Sequence, residues 1–311
     1  MNQQEIEITA PASVANLGPG FDVLAVAVQL YLRLRVRVVE GENRLRFNFQ
    51  GQQLVGENYI ERAFRFLARQ RTSAFPSLDV DVDCEIPMRS GLGSSAAATV
   101  AGLRLYEAIL GPMQPRDLLN AAVALEGHPD NVSAALMGGL TASCQLPDGS
   151  TSAVALHWPG ALKLIVATPE FDLSTTAARR VLAERVSRQD AVYNLQRLAH
   201  LVHALQSEDF SLLHEALGDR LHQPQRQKLV PGLEQALMLD HPDLLGICLS
   251  GAGPSIVAFA TRSFDEIENL LAKIYTRLRL PFRVRTLAVH RNPESIDIAI
   301  PPNEPNPSVC A

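Results

Sequence analysis

Several kinds of residue are scarce in this 311-residue sequence, and each scarcity argues against a class of protein. The four cysteines are widely spaced and form no CxxC pair: Cys84, Cys144, Cys248 and Cys310. We therefore expect neither a zinc site nor a disulfide framework. The longest apolar run near the N-terminus, 23–28, is too short to span a bilayer, and no positively charged secretory region precedes it. A cytoplasmic protein without a membrane segment is the expectation.

Positive charge is not in excess either. The formal net charge of -5 offers no basic surface for nucleic acid. The chain has only three lysines, Lys163, Lys228 and Lys273, and the GK[ST] signature of a Walker loop is absent. What remains is ordinary globular composition, with 47% hydrophobic and 20% charged residues. At this length two lobes with a cleft between them are expected rather than one core.

The hydrophobic pattern of the first half mixes two periods. Alternation with a period of two predicts strands at 5–8, 32–38, 45–49 and 78–86. Because the first three arrive without long helices between them, we expect an antiparallel sheet. Helices are predicted at 59–69 and at 94–110, and the second of these ends at Gly111-Pro112.

The second half of the sequence predicts a lobe of both strands and helices. The predicted elements are strands and turns over 140–168, helices over 174–239, two strands around a glycine turn over 246–260, a helix at 264–278 and a strand at 284–289. The fold class is therefore α+β. We expect an N-terminal domain of residues 1–158, a C-terminal domain of residues 159–291, and a proline-rich tail at 292–311 with little regular structure.

A glycine-rich turn joins the strand predicted at 78–86 to the helix predicted at 94–110. Its residues are Pro87, Met88, Arg89, Ser90, Gly91, Leu92, Gly93, Ser94, Ser95, Ala96 and Ala97. The glycines let the backbone approach a ligand, and the N–H groups and dipole of the helix start favour an anion. We predict a phosphate-binding loop whose serines offer hydroxyls to phosphate or magnesium. The alternative is a plain Gly-Ser turn capped by Ser94.

Two other segments are also rich in glycine and proline. The first, APASVANLGPGFD at 10–22, displays Asn16 and Asp22 on a shaped loop, where they could receive a hydroxyl or an ammonium. Its alternative is a turn whose Asx side chains bond locally. The second, LSGAGPS at 249–255, lies between apolar strands, and taken alone it is best interpreted as a hairpin bend.

Read together, the three segments resemble those of the GHMP kinase superfamily, named for galactokinase, homoserine kinase, mevalonate kinase and phosphomevalonate kinase. Their order and rough spacing match, and the resemblance covers nearly the whole chain up to the tail. It implies a two-lobed fold, with an N-terminal lobe like the second domain of ribosomal protein S5 and a ferredoxin-like C-terminal lobe. It also implies ATP as a cosubstrate, bound beside a small alcohol between the lobes.

Four stretches resemble the homoserine kinases within that superfamily: VANLGPGFD at 14–22, EGHPDNV at 126–132 with the glycines that follow at 138–139, the segment 174–182, and the segment 222–232. Mevalonate kinases typically carry a catalytic lysine near the first stretch, and here there is none. The resemblance implies that L-homoserine is phosphorylated on its hydroxyl to O-phospho-L-homoserine, in threonine biosynthesis, by a homodimer. The chain departs from the pattern at Ser133-Ala134, Ala183 and Gln225, which puts the shape of the substrate pocket in question.

The resemblance also implies substrate and nucleotide contacts. Arg226, assisted by Arg179, is expected to bind the substrate carboxylate, because guanidinium groups pair with carboxylates through two hydrogen bonds. Asp22 and Asn16 are expected to take the ammonium. For ATP, the loop at 87–97 holds the phosphates and Asn58 lies near the adenine. The alternative for the arginines is an ordinary surface or ion-pair role.

Direct in-line phosphoryl transfer assisted by Mg²⁺ is the implied chemistry, because such transfer needs positioning and charge neutralisation. Ser95 and Glu126 supply the hard oxygen ligands that Mg²⁺ prefers, although Glu126 could instead be a solvated acid at a helix end. Asp130 and Asn131 resemble the residues near the attacking hydroxyl, and whether a base is needed stays open. Two other functions also stay open: a kinase for another small alcohol, such as mevalonate or a sugar, and a non-catalytic ligand-binding relative.

Overall fold

The computed structural model describes residues 5–50, 56–71 and 74–292. Apart from Asn292, the predicted proline-rich tail lies outside these residues. The strands are β1 (Ile6–Ala15), β2 (Leu24–Glu42), β3 (Leu45–Phe49), β4 (Pro76–Cys84), β5 (Leu140–Gln145), β6 (Thr151–Leu156), β7 (Lys163–Pro169), β8 (Gly246–Leu249), β9 (Ile256–Ala260) and β10 (Phe282–Leu287). The α-helices are α1 (Tyr59–Gln70), α2 (Ser94–Leu110), α3 (Pro115–Glu126), α4 (Asp130–Met137), α5 (Thr175–Arg180), α6 (Arg188–Ser207), α7 (Leu213–Ala216), α8 (Gln223–Arg226), α9 (Leu233–Leu237) and α10 (Phe264–Leu278).

Strand β2 organises the first sheet. Its 19 residues pair antiparallel with β1 along one edge and with β4 and β5 along the other. The path through the sheet runs β3-β4-β2-β5-β6. The predicted antiparallel arrangement is confirmed for these pairings, but β3 lies parallel to β4. The chain passes through α1 between these two strands, and such a crossover permits parallel pairing.

Helix α2 spans the residues predicted for it, 94–110, and packs on the first sheet and on α1. Its sequence is rich in alanine, and small residues let neighbouring backbones approach closely. At Gly102 a Cβ would collide with the carbonyl oxygen of Ile60 in α1. The close fit places the start of α1 against the middle of α2.

The second sheet has the order β10-β7-β9-β8 and is covered by α10. Its strands fall within residues 159–291 and those of the first sheet within 1–158, so the sheets follow the predicted boundary, while the domain division itself stays a prediction. The last described residues return to the N-terminal half of the chain through the bridge of Val289 to Val28 in β2 and the bridge of Arg291 to Gly138 at the end of α4. The predicted α+β fold with two lobes is confirmed. Within the described ranges, no helix is both long and apolar enough to cross a membrane.

Candidate active site

The three glycine-rich segments meet in the structure. Residues 10–22 surround the end of β1, residues 87–97 join β4 to α2, and residues 249–255 join β8 to β9. Hydrogen bonds between them include Ser13 N–H to Leu92 O at 3.1 Å, Gly251 N–H to Ala15 O at 3.1 Å, Ser255 N–H to Ser90 O at 3.0 Å, and Ser250 Oγ–H to Gly91 O at 2.6 Å. The loop at 87–97 is therefore clamped between the other two segments.

Left-handed backbone shapes this loop. Arg89, Gly91 and Gly93 have φ angles of 52°, 79° and 67°, a region in which glycine is unstrained. Space is equally restrictive, because a Cβ on Gly91 would collide with the carbonyl oxygen of Ser250. Backbone geometry and close packing together require glycine at this position.

Helix α2 begins at the end of the loop without a capping side chain. Gly93 is its N-cap, so Ser94 does not cap the helix as the alternative expected, while phosphate binding by the loop stays a prediction. The first N–H groups of a helix have no partner within it, and the helix dipole adds partial positive charge there. With Ser94 and Ser95 in the first turn, this end of α2 can bind the phosphates of a nucleotide.

The Glu126 carboxylate, at the end of α3, faces the first turn of α2. It accepts hydrogen bonds of 2.7 Å from Ser95 Oγ and of 2.7 Å from Thr99 Oγ1. Its side chain is only 5% exposed, so the alternative of a solvated helix-end acid is wrong. Nη2 of Arg62 lies 3.7 Å from Glu126 Oε1 and donates to the Leu125 carbonyl at 2.9 Å. The guanidinium offsets part of the cost of burying the carboxylate.

Asp130 and Asn131 open helix α4 beside the loop, and both are buried. Asp130 Oδ1 accepts from the Asn131 N–H at 2.8 Å and from His128 Nδ1–H at 2.7 Å. Asn131 Oδ1 accepts from Ser13 Oγ at 2.7 Å. Burial disfavours the charged form of His128, but the hydrogen bond and the charge of Asp130 outweigh it and raise the pKa of His128 above its ordinary value.

Asp22 and Arg179 form a two-point ion pair next to this group. Arg179 donates from Nη2 at 2.7 Å and from Nη1 at 2.9 Å to the two carboxylate oxygens, and these bonds raise the pKa of Arg179. Asn16 supports the pair, because its Oδ1 accepts from the Asp22 N–H at 3.1 Å and its Nδ2 donates to the Gly251 carbonyl at 2.9 Å. The alternative of locally bonded Asx side chains is thus partly right: Asn16 shapes the loop, and Asp22 faces Arg179.

Arg226 lies beneath this pair and is only 1% exposed. Its Nε donates to the Ala178 carbonyl at 3.1 Å and its Nη1 to the Gly251 carbonyl at 2.9 Å. Burial, together with the charge of Arg179, lowers the pKa of Arg226 to about 10, which leaves it cationic at neutral pH.

His222 anchors the same arginine. Its Nε2 lies 2.8 Å from the Gly18 carbonyl, which can only accept, so Nε2 carries the proton and Nδ1 can accept from Arg226 Nη1 at 3.3 Å. Burial lowers the pKa of His222, in keeping with this neutral form. The Phe21 ring stacks on His222, and its centroid lies 5.4 Å from the guanidinium carbon of Arg226 and 5.6 Å from that of Arg179.

Two parts of the predicted nucleotide site lie outside the group of charged and hydrogen-bonded side chains described above. They are Asn58 and the start of the glycine-rich loop at Met88 and Arg89. Asn58 is the N-cap of α1, where its Oδ1 accepts from the N–H groups of the first helical turn. Met88 is 55% exposed, and Arg89 forms an exposed ion pair with Asp172 at 2.7 Å. The binding of ATP by these residues stays a prediction, as do the individual roles of the other predicted site residues.

Thr99, Ser13 and Arg62 are among the residues of the site that had no predicted role. Thr99 could have been found, because it lies four residues after Ser95 and hence on the same helix face. Ser13 lies within a predicted motif, but its partner Asn131 is 118 residues away. Arg62 reaches Glu126 from α1, and no local pattern marks it.

The fold and this site together define the class of the protein. A glycine-rich loop that contains no lysine leads into the start of α2. The buried Ser95–Glu126 pair and the charged side chains around Asp22 and Arg179 lie beside it. The chain folds into two lobes of the α+β class. The sequence matches the family model described as GHMP kinases N terminal domain over residues 58–139 and that described as GHMP kinases C terminal over residues 201–279. The protein is a GHMP kinase.

Individual relatives show which group of GHMP kinases the chain resembles in sequence and structure. The homoserine kinase of Solibacter usitatus is 40% identical over 274 residues, which cover 86% of this chain and 89% of that protein. The homoserine kinase of Deinococcus radiodurans is 40% identical over 283 residues, which cover 89% of this chain and 92% of that one. The crystal structure of homoserine kinase from Cytophaga hutchinsonii superposes with a TM-score of 0.83 at 27% identity, covering 94% of this chain and 97% of that one. The chain belongs to the homoserine kinase family.

Proposed function

We propose that the protein transfers the γ-phosphoryl group of ATP to the hydroxyl of L-homoserine and releases O-phospho-L-homoserine and ADP. The observation that carries this proposal is the convergence of two sites. The start of α2, suited to phosphates, meets the buried amide of Asn131 on one side, and the Asp22–Arg179 pair lies within electrostatic reach of Asp130. A phosphate donor and a charged small substrate bound at these two places would lie next to each other.

The Asp22–Arg179 pair suits a zwitterion. Both side chains remain partly exposed, 32% for Asp22 and 38% for Arg179. A free amino acid can place its ammonium on the Asp22 carboxylate and its carboxylate on the Arg179 guanidinium, so each buried charge keeps an opposite partner. Arg226 adds positive potential beneath the carboxylate, and direct contact between the two stays a prediction.

The third group of the substrate, its hydroxyl, would point toward Asn131. Phosphoryl transfer depends on the alignment of the attacking oxygen with the γ-phosphorus more than on covalent help from the protein. Asn131 lies at the junction of the phosphate loop and the substrate cluster, and it is held on both sides, by Ser13 and by Asp130. It is therefore suited to orient the hydroxyl for direct in-line attack.

Mg²⁺ fits the oxygen groups near the start of α2. Ser95 Oγ and the Glu126 carboxylate are hard oxygen donors within 2.7 Å of each other, and a magnesium ion carried by a nucleotide needs few protein ligands. In the part of the chain that the structure describes, no group of three or more His, Cys, Asp or Glu could hold an ion. Ser95 and Glu126 would hold the ion with the nucleotide. When bound, it would neutralise charge on the transferring phosphates.

The biological setting is proposed on the family resemblance. Homoserine phosphorylation would serve threonine biosynthesis, in the cytoplasm, and the protein would act as a homodimer. Light scattering of the purified protein measures its molar mass in solution and so tests whether it is a dimer. Expression of this gene in a strain that lacks homoserine kinase tests the pathway. We expect it to restore growth without threonine.

A substrate panel tests the activity itself. ADP release is measured with ATP and Mg²⁺ and with L-homoserine, mevalonate or galactose as the acceptor. We expect kcat/KM for L-homoserine to exceed the others by about a hundredfold or more, because mevalonate lacks the ammonium and galactose lacks both charges, so part of the site would be left unpaired. L-2-Aminobutyrate, which lacks the hydroxyl, should compete with L-homoserine without being phosphorylated. Preference for another alcohol, or no turnover with any, would overturn the proposal.

A further inference from the structure

We infer that Ser13 is a positioning residue for phosphoryl transfer, because its hydroxyl fixes the Asn131 amide so that the amide presents N–H to the reacting atoms. The inference rests on the proposed function for the identity of the reaction. It assigns to Ser13 a task that the glycine-rich motif around it does not specify.

The hydrogen bond between Ser13 and Asn131 is short and buried. Ser13 Oγ lies 2.7 Å from Asn131 Oδ1, and the two side chains are 0% and 8% exposed. Because an amide oxygen can only accept, the serine hydroxyl is the donor. Hydrogen bonds removed from water hold their geometry more firmly than exposed ones do.

The other end of the amide gives the same orientation. Asn131 Nδ2 lies 3.4 Å from Asp130 Oδ1, which also accepts from the Asn131 main-chain N–H at 2.8 Å. A flipped amide would set its oxygen against this carboxylate, which can only accept. Asp130 thus selects one orientation and Ser13 holds the amide oxygen in it, and the N–H that neither residue uses is left for a ligand.

Ser13 also connects the amide to the phosphate loop. Its main-chain N–H donates to the Leu92 carbonyl at 3.1 Å, one residue before Gly93. A Cβ on Gly93 would collide with Ser13 Oγ and would lie 3.0 Å from Asn131 Oδ1. One residue of β1 therefore sets both the position of the loop that would hold the phosphates and the direction of the amide that would meet the hydroxyl.

A chemical consequence follows for the reaction. An amide whose oxygen is occupied by Ser13 donates to an oxygen of the substrate or of the γ-phosphate and does not receive the hydroxyl proton, which passes to an oxygen of the transferring phosphoryl group and leaves with the products. Asn131 then orients the attacking oxygen and takes no part as a base. Loss of Ser13 should release the amide to rotate, and misalignment at a reacting centre costs about tenfold to a hundredfold in rate.

A double-mutant cycle tests this inference. We expect S13A to lower kcat about tenfold to a hundredfold while KM for ATP and for L-homoserine changes less than about threefold. S13T keeps a hydroxyl and should recover most of the rate. In the N131A background, S13A should have almost no further effect, because Ser13 acts through Asn131. Equal losses in both backgrounds would overturn the inference.

The control removes another buried hydroxyl from the same region. Ser133, in α4, donates to the Pro129 carbonyl at 2.7 Å and is 0% exposed, so S133A reports the general effect of losing such a group. Thermal unfolding of each variant shows whether it is folded. If S133A lowers kcat as much as S13A does, the effect of S13A is merely structural and the inference fails.

A neutron crystal structure of S13A, which distinguishes the amide nitrogen from the amide oxygen, gives a readout that does not depend on turnover. We expect the Asn131 side chain to leave its present orientation or to occupy two orientations. An unchanged, single orientation would overturn the inference whatever the substrate is. An inactive wild-type protein would instead contradict the proposed function, so the two failures are distinguishable.

Discussion

Asp22 and Arg179 form an ion pair with two hydrogen bonds, 2.7 and 2.9 Å long, that joins the loop before β2 to helix α5. The pair presents one negative and one positive group close to the point where Asn16, in the segment at 10–22, bonds to Gly251, in the segment at 249–255. Its charges complement those of a free amino acid. Substrate binding would exchange one protein ion pair for two pairs between protein and ligand, without leaving a charge unpaired.

Replacement of Arg179 tests this exchange. R179K keeps the charge but loses the planar fork that binds a carboxylate through two bonds. We expect KM for L-homoserine to rise about tenfold or more and KM for ATP to stay unchanged. R180K is the matched control, because Arg180 is the exposed neighbour on the same helix. Equal KM values for R179K and R180K would contradict a role of Arg179 in substrate binding.

Thr99 offers a test of the Glu126 group. T99V keeps the shape of the side chain but removes the hydrogen bond to Glu126 Oε1, a loss worth about 1–3 kcal/mol when a buried acceptor is left without a partner. We expect the Mg²⁺ concentration for half-maximal rate to rise about tenfold, because the carboxylate is no longer held toward Ser95. T99S, which keeps the hydroxyl, should behave like the wild type. The same Mg²⁺ dependence in T99V and T99S would show that Thr99 does not position the carboxylate.

Gly93 tests the packing of the phosphate loop. G93A brings a methyl group against Ser13 and Asn131, and we expect it to lose nearly all activity. G149A is the control, since Gly149 has a similar φ of 82° but open space around its Cβ position. Both variants carry the backbone strain of about 1–2 kcal/mol, and G149A should keep its activity. If both enzymes stay active, the contact at Gly93 is unimportant for catalysis.

The raised pKa of His128 gives a dependence of stability on pH. When the folded-state pKa is raised, the stabilisation is complete below the unfolded value of about 6.5 and is lost as the pH rises through the folded value. H128N can still donate to Asp130 but cannot gain a proton. The free energy of unfolding of the wild type should therefore exceed that of H128N most at about pH 6, and the difference should shrink toward about pH 9. Urea unfolding at both pH values measures it, and a difference that does not change would contradict the charged pair.

Much of the frame of the site could be predicted from the sequence because it depends on local patterns. The residues of α2 follow from an alanine-rich run bounded by two glycines, and α10 follows in the same way from its helical spacing and matches the predicted 264–278. The three glycine-rich segments could be grouped because they resemble one family. Loops of this kind carry their conformation in their own glycines and prolines.

Contacts between distant residues could not be predicted. The hydroxyl of Ser13 looks like any polar group at the end of a buried strand until α4 is placed beside it. Arg226 lies within a recognisable motif, yet its burial and its bonds to carbonyl groups depend on the packing of α5 and the turn at 249–255. The pairing of Val28 with Val289 likewise joins strand β2 to the last described residues. These contacts are set by tertiary packing, which local periods do not encode.

Phosphorus-31 NMR of the reaction mixture tests the central claim most directly. The purified protein is incubated with ATP, Mg²⁺ and L-homoserine, and the products are followed until ATP is consumed. We predict the loss of the γ-phosphate signal and the growth of one phosphomonoester signal, coupled to the protons of the carbon that carried the homoserine hydroxyl. Unchanged ATP, or inorganic phosphate without a phosphomonoester, would contradict the account.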